Sequence, residues 1–267
     1  MKQGVGNFLR FLGLTAVLCV MLMTERAGAD VLPGRVLKFA VHTSSLGSLD
    51  PHMIRGSQDY TYADLVFNCL IRYVPGDLAR LEPDIAEFIP SYELRNGRQV
   101  WTVHLKKGVL FHPGPFNPAY ELTADDVIFS LKKLAEPEFS TMTGEYTGMT
   151  FEKIDAHTLE IILEKPVSPL FFLPLIANHR GGHIVSEKAV QAGGYEGFIS
   201  HPVGTGPFMF EQFLPDKKLV LSAHAGYFRG TPKLAGVEMH FIPDNDTRGA
   251  AFRNGEMELI LGGGDPG

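Results

Sequence analysis

The chain has 267 residues, of which 45% are hydrophobic and 20% charged, with a formal charge of −6. That balance excludes a disordered tail, a fibrous repeat and a disulfide-stapled miniprotein, and the length suits one large domain or two small ones. The acidic charge and the absence of any Lys/Arg block argue against a nucleic-acid reader.

Lys2 and Arg10 form a basic start, Phe11 to Met23 is almost wholly apolar, and Ala27-Gly28-Ala29 follows. This order predicts a cleaved secretory signal over residues 1–29, with Asp30 as the new N-terminus of an exported chain. Cys19 is removed with it, so Cys69 remains alone and makes no internal disulfide. The apolar run around Cys69 predicts a core thiol rather than a reactive one.

Val36 to Val41 reads as a buried first strand. Ala63, Val66, Phe67, Leu70 and Ile71 lay one apolar stripe on a helix predicted over residues 59–73, ended by Pro75-Gly76-Asp77. Asn96-Gly97 between two alternating segments predicts a hairpin whose second strand buries Trp101, Val103 and Leu105. Val109 to His112 continues as an extended segment. Thr123 with Asp126 three residues on predicts a capping box opening a helix that ends before Pro137. Residues 138–149 read as a loop. Phe151 to Ile154 pairs with Thr158 to Leu163, and Leu170 to Ala177 reads as an apolar helix. Gly193-Gly194 and Gly204-Thr205-Gly206-Pro207 punctuate the next stretch. Phe208 to Phe213 and Leu219 to Ala223 form an antiparallel pair. A strand at Val237 to Ile242, a short helix at Asp246 to Asn254 with Gly255 behind it, and a strand at Met257 to Leu261 close the pattern. The Gly-rich end, residues 262–267, follows a buried-looking strand and reads as a hinge in a truncated chain.

Enzyme signatures are sparse. The sequence has no G-x-S-x-G, H-E-x-x-H, C-x-x-C or Walker loop. Gly262, Gly264 and Gly267 match G-x-G-x-x-G, but Pro266 interrupts it and no helix follows within the sequence. His179 and His183 have the i,i+4 spacing of a metal pair, and Gly181-Gly182 between them argues against the helix it needs. Asp125-Asp126 as adjacent helix residues point apart, so capping is the better account than paired catalysis. Asn245-Asp246-Thr247 matches a glycosylation pattern that arises often by chance.

Several segments in order resemble one family. They include Leu49-Asp50-Pro51, Leu81 to Ala86, Trp101 to Val109, Leu122 to Leu131, Pro202 to Phe208, Tyr227 to Leu234 and Gly255 to Leu259. The chain resembles the family 5 extracellular solute-binding proteins, the peptide- and nickel-binding components of bacterial ABC importers. Two departures stand out: an insertion over residues 111–122, and a length about half that of family members.

The resemblance implies a mixed-sheet α/β fold of the periplasmic binding protein type, class C, with the second lobe missing. It divides the chain into a first part of lobe I over 30–64, an inserted subdomain over 65–165, a second part of lobe I over 166–261, and a hinge start over 262–267. It implies a monomeric periplasmic carrier, not an enzyme, that needs no cofactor or metal and captures peptides or peptide-like solutes for a membrane permease. Nickel chelate, haem or oligosaccharide cargo, a non-binding fragment, and a secreted hydrolase are the alternatives. Ligand contacts are expected at Ser44, Ser45 and Leu46 after the first strand, at Tyr146 as an aromatic wall, and at Gly262 and Gly263 on the hinge edge. The Gly204-Thr205-Gly206-Pro207 loop is expected to be a structural turn.

Overall fold

A computed structural model describes residues 34–178 and 182–262. The signal segment, the cleavage site, His179 and Gly263 lie outside the described residues.

Strand β1 (Val36–Val41) forms where β-branched and aromatic residues alternate around Lys38, and its second half is buried. It sits inside a five-stranded sheet, parallel to a neighbour on each side. Helix α1 (Ser57–Val66) follows, shorter than the predicted 59–73. The apolar stripe runs on past Val66, but Phe67 turns extended and Ile71–Val74 becomes strand β2, paired with β3 (Asp77–Pro83). Pro75-Gly76 is therefore a hairpin turn and not a helix stop. Leu70 and Ile71 are still fully buried, so burial was legible and its geometry was not.

A four-stranded antiparallel sheet holds β4 (Ser91–Arg95), β5 (Arg98–His104), β8 (Met149–Asp155) and β9 (Thr158–Leu163) in the order β4-β5-β9-β8. The β4–β5 turn places Asn96 and Gly97 at φ 52° and 80°, the conformation that favours Asn-Gly there. Trp101, Val103 and Leu105 point inward at 1%, 0% and 3% exposure. Trp101 stacks on Phe172, with centroids 4.3 Å apart. Between β5 and β8 lie the short pair β6 (Leu110–Phe111) and β7 (Tyr120–Glu121), helix α2 (Ala124–Leu134) and the one-turn helix α3 (Thr143–Tyr146). The box at α2 is carried by Asp126, whose Oδ2 accepts from the Thr123 amide at 3.0 Å and from its hydroxyl at 3.4 Å.

The segment predicted as a single helix at 170–177 is a turn of α-helix, α4 (Pro169–Phe172), running into a 3-10 turn, Leu173–Ile176, because Pro174 cannot donate to a continued helix. Helix α5 (Glu187–Ser200) runs through the Gly193-Gly194 pair that the sequence marked only as punctuation, with Gly194 breaking it at φ 67°. A Cβ at Gly193 would lie 2.7 Å from the Phe116 ring, so close packing on Phe116 requires the glycine.

The chain then returns to the first sheet through β10 (Phe208–Leu214), β11 (Lys218–Ala223), β12 (Gly236–Phe241), helix α6 (Asn245–Arg253) and β13 (Leu259–Leu261). The strand order is β10-β11-β12-β1-β13. One connected apolar core includes Phe39 and Met239 of this sheet, Trp101 and Ile161 of the other, and Val127 of α2.

Candidate functional site

Strands β12, β1 and β13 are parallel and end level: Val41 is opposite Phe241 on one side and Leu261 on the other. The chain passes from β12 through α6 to β13, on the far side of β1. In open α/β sheets the loops beyond such carboxyl ends form the ligand crevice.

The loop after β1 is shaped by its own polar groups. Thr43 donates its amide to the Val41 carbonyl at 3.0 Å and its hydroxyl to the Ser45 carbonyl at 2.7 Å. Ser44 is left exposed at the tip, whereas Leu46 packs into the core at 8% exposure. The buried Asp59 carboxylate then fixes the far end of the loop. One oxygen accepts from the Gly47 amide and the other from those of Arg55 and Gly56, each at 3.2 Å. Farther on, the Tyr62 hydroxyl donates to the Leu49 carbonyl at 3.0 Å.

Gly262 leaves β13 at φ +79°, and a Cβ on it would meet His42 Cβ at 3.6 Å and Gln58 Nε2 at 3.9 Å. Gln58 in turn donates to the His42 carbonyl at 3.4 Å. The loop after β1 and Gly262 thus belong to one edge, built from the ends of β1 and β13 and the start of α1, but the Leu46 side chain expected there as a ligand contact is turned into the core instead.

Tyr146 does not join that edge. Its ring is fully buried in the core, and its hydroxyl donates to the Leu175 carbonyl at 2.6 Å. Thr141 anchors the preceding segment, donating its amide to the His52 carbonyl at 3.1 Å and its hydroxyl to that of Ile54 at 3.2 Å. The short helix that follows buries its one aromatic ring. An aromatic wall at Tyr146 is therefore replaced by a structural tyrosine.

Sequence reasoning missed His42, Gln58, Asp59 and Arg248 at this edge. Asp59, at the third position of α1 behind a glycine, carried the signal of an acidic first-turn residue. Arg248 carried none, because its partners, three backbone carbonyls and the Asn245 side chain, form no sequence motif.

A buried ion pair stands behind the loop. Lys133 of α2 donates to Asp50 Oδ2 at 2.6 Å, to His52 Nδ1 at 3.2 Å and to the Phe139 carbonyl at 3.2 Å. His52 donates through Nε2 to the His183 carbonyl at 2.8 Å, so Nδ1 is the bare acceptor. Burial, reinforced by the Lys133 charge, pushes the His52 pKa well below its ordinary value, and burial also lowers that of Lys133.

Other sequence candidates resolve as structure. Asp125 is exposed and paired with Lys153 at 2.6 Å, while Asp126 is buried in the capping box. His183 donates to Asp64 at 2.9 Å, and no cluster of three metal-ligating side chains exists among the described residues. Burial pushes the Cys69 thiol well up, which suits an inert core cysteine. A cavity of about 280 Å³ lies beside Asp64, Arg72, Asp84 and Tyr227. Its charged groups are engaged: Asp64 with His183 and Asn178, Arg72 with Glu82, and Asp84 with Asn68 and Arg229.

These features define an open α/β lobe whose parallel strand ends present a loop edge, with an antiparallel sheet inserted between its first strand and the rest. The family model described as bacterial extracellular solute-binding proteins, family 5 Middle, matches residues 80–266. The chain belongs to this family. Heme-binding protein A of Haemophilus influenzae is 29% identical over 255 residues, covering 89% of this chain and 46% of that relative. Among solved structures, the binding protein MoaA of A. tumefaciens R10, in complex with mannopinic acid, superposes with a TM-score of 0.78 at 34% identity, over 86% of this chain and 45% of that one. The ABC transporter-associated periplasmic binding protein DppA of Helicobacter pylori, in complex with the peptide STSA, gives 0.75 at 28%, over 86% and 47%. The chain thus spans about half the length of the relatives it matches.

Proposed function

We propose that this chain supplies one wall of a solute-binding site in an ABC importer's periplasmic receptor, at the edge formed by residues 42–46 and Gly262. The observation that carries the reading is the level ending of β12, β1 and β13, with His42, at the start of the loop that exposes Ser44, beside the Gly262 exit. The polar loop suits a small peptide-like solute whose amides and carboxylate exchange hydrogen bonds with backbone and hydroxyl groups. MoaA holds mannopinic acid and DppA holds a peptide, which supports that cargo class. The split of lobe I around an inserted subdomain over 65–165 belongs to this reading, and the four-stranded sheet at 91–163 supports it. Delivery to a membrane permease, and export through the predicted signal, are parts of the same proposal.

A receptor of this class gains affinity by burying ligand from both sides. A ligand touching this wall alone is therefore held more weakly than about 1 mM, since each 1.4 kcal/mol lost is tenfold. Calorimetric titration of the 267-residue chain with mixed di- to pentapeptides tests this. Heats too small to fit below about 1 mM agree with it. Micromolar binding by a monomer would contradict the one-wall reading.

A further inference from the structure

Arg248 lies on the first turn of α6, near the positive end of its helix dipole, where a cation is disfavoured. It is nevertheless 99% buried, at 1% exposure. The guanidinium turns back to the strand ends. Nη1 donates to the Ile242 carbonyl at 2.7 Å and to that of Pro243 at 3.4 Å. Nη2 donates to the Gly262 carbonyl at 3.1 Å and to Asn245 Oδ1. Ile242 follows β12 and Gly262 follows β13, so one side chain ties together the exits of the two strands that flank β1. Asp244 steadies the turn from outside, accepting from the Thr247 amide at 2.8 Å and its hydroxyl at 2.6 Å.

We infer that Arg248 is the positioning residue of the strand-end edge: its planar fork sets where the chain leaves β13 and thereby holds Gly262 against His42. The role rests on the solute-site reading only for its functional meaning; the geometric claim stands apart from it. A lysine cannot reproduce the clamp. It offers a point charge on a flexible stem, whereas the guanidinium presents two fixed edges of donors to two carbonyls. β13 is only three residues long and pairs with β1 alone. Its exit therefore depends on this tether more than the exit of β12, which pairs on both sides.

The test is amide hydrogen exchange by NMR on the full 267-residue chain, for Arg248→Lys and for Asn245→Ala. Asn245 is exposed, so its variant loosens the guanidinium without opening the core and decides the matter if Arg248→Lys does not fold. We expect exchange at 259–262 and 42–45 to quicken at least tenfold in Arg248→Lys and several-fold in Asn245→Ala, with 99–104 and 158–163 unchanged. Quickening spread evenly over both sheets, or none at Gly262, would overturn the positioning role. The same samples titrated with millimolar dipeptide separate the two claims. Peptide-induced shifts at 43–46 in the parent chain that shrink in Asn245→Ala support both. If the parent shows no such shifts while the local exchange pattern holds, the solute reading fails and the clamp stands.

Discussion

Two loops of this protein are marked by glycine, and they are built in opposite ways. The turn Gly204-Thr205-Gly206-Pro207 has no spare room: a Cβ at Gly204 would fall 2.0 Å from the Val66 carbonyl oxygen, and one at Gly206 would fall 2.5 Å from its carbon. It is tied down on several sides, with the Gly206 amide on the Val66 carbonyl, the Thr205 hydroxyl on Asn68, and the Gly206 carbonyl shared by His112 and His224. The strand-end edge has room. Gly262 meets nothing nearer than 3.6 Å, and Ser44 is exposed. The first glycines serve packing, and the second serves the direction in which the chain leaves a strand. A glycine is thus interpreted by what its missing side chain would strike.

Perturbing the two regions should separate them, and the largest effects belong to the interior. Lys133→Met leaves the buried Asp50 charge unpaired behind the loop. It should cost about 3–5 kcal/mol in urea unfolding, much of it recovered by adding Asp50→Leu. An unchanged midpoint in the single variant would show that the pair is not held in solution. Gly206→Ala should cost about 3 kcal/mol through overpacking against Val66. Gly262→Ala should cost only about 1 kcal/mol, the penalty of its positive φ. Equal losses at the two glycines, measured by thermal melts, would erase the contrast.

The interior should also respond to acid. Burial holds the His112 imidazole at about 3, and burial lowers His224 as well. Below the ordinary value of about 6.5 the unfolded chain takes up a proton that the native chain refuses. The stability is therefore complete above that pH and is lost as pH falls toward 3, by about 1.4 kcal/mol per pH unit for this one group. His112→Gln retains an amide donor for the Gly206 carbonyl and should remove one proton's share of the slope between pH 6 and 4.5, leaving those of His52 and His224. An unaltered slope would mean that His112 is protonated in the native state.

The cap of α2 gives a smaller effect. Asp126→Asn should cost about 1 kcal/mol, and Thr123→Ala less, because the carboxylate accepts from the Thr123 amide while the hydroxyl contact is the longer one. The reverse order would return the cap to the threonine. Ser44→Ala should leave the melting temperature within experimental error, since the side chain is exposed at the loop tip.

Local chemistry made much of the fold readable. The Asn96-Gly97 turn, the β1 limits and the α2 start follow from turn residues, β-branching and capping, all local signals. The misjudged elements were decided by distant partners. Helix α1 stops at Val66 because the next residues pair with β3 and meet the Gly204–Pro207 turn. Helix α5 tolerates Gly193 because Phe116 fills the space a side chain would take. At the site, Ser44 and Gly262 were legible as strand-end positions. Tyr146 was misjudged because an aromatic in a polar loop looks the same whether it faces solvent or core. Arg248 was invisible because no pattern records a bond to a carbonyl.

The central claim is that solute meets the strand-end edge and not the cavity beside Asp64 and Arg72. Paramagnetic relaxation enhancement with a spin-labelled dipeptide, at millimolar concentration on the 267-residue chain, tests it most directly. The account predicts selective broadening of amides 42–46 and 262, with those of Asp64, Arg72 and Tyr227 unaffected. Broadening centred on Asp64, Arg72 and Tyr227, or spread evenly over the surface, would contradict it.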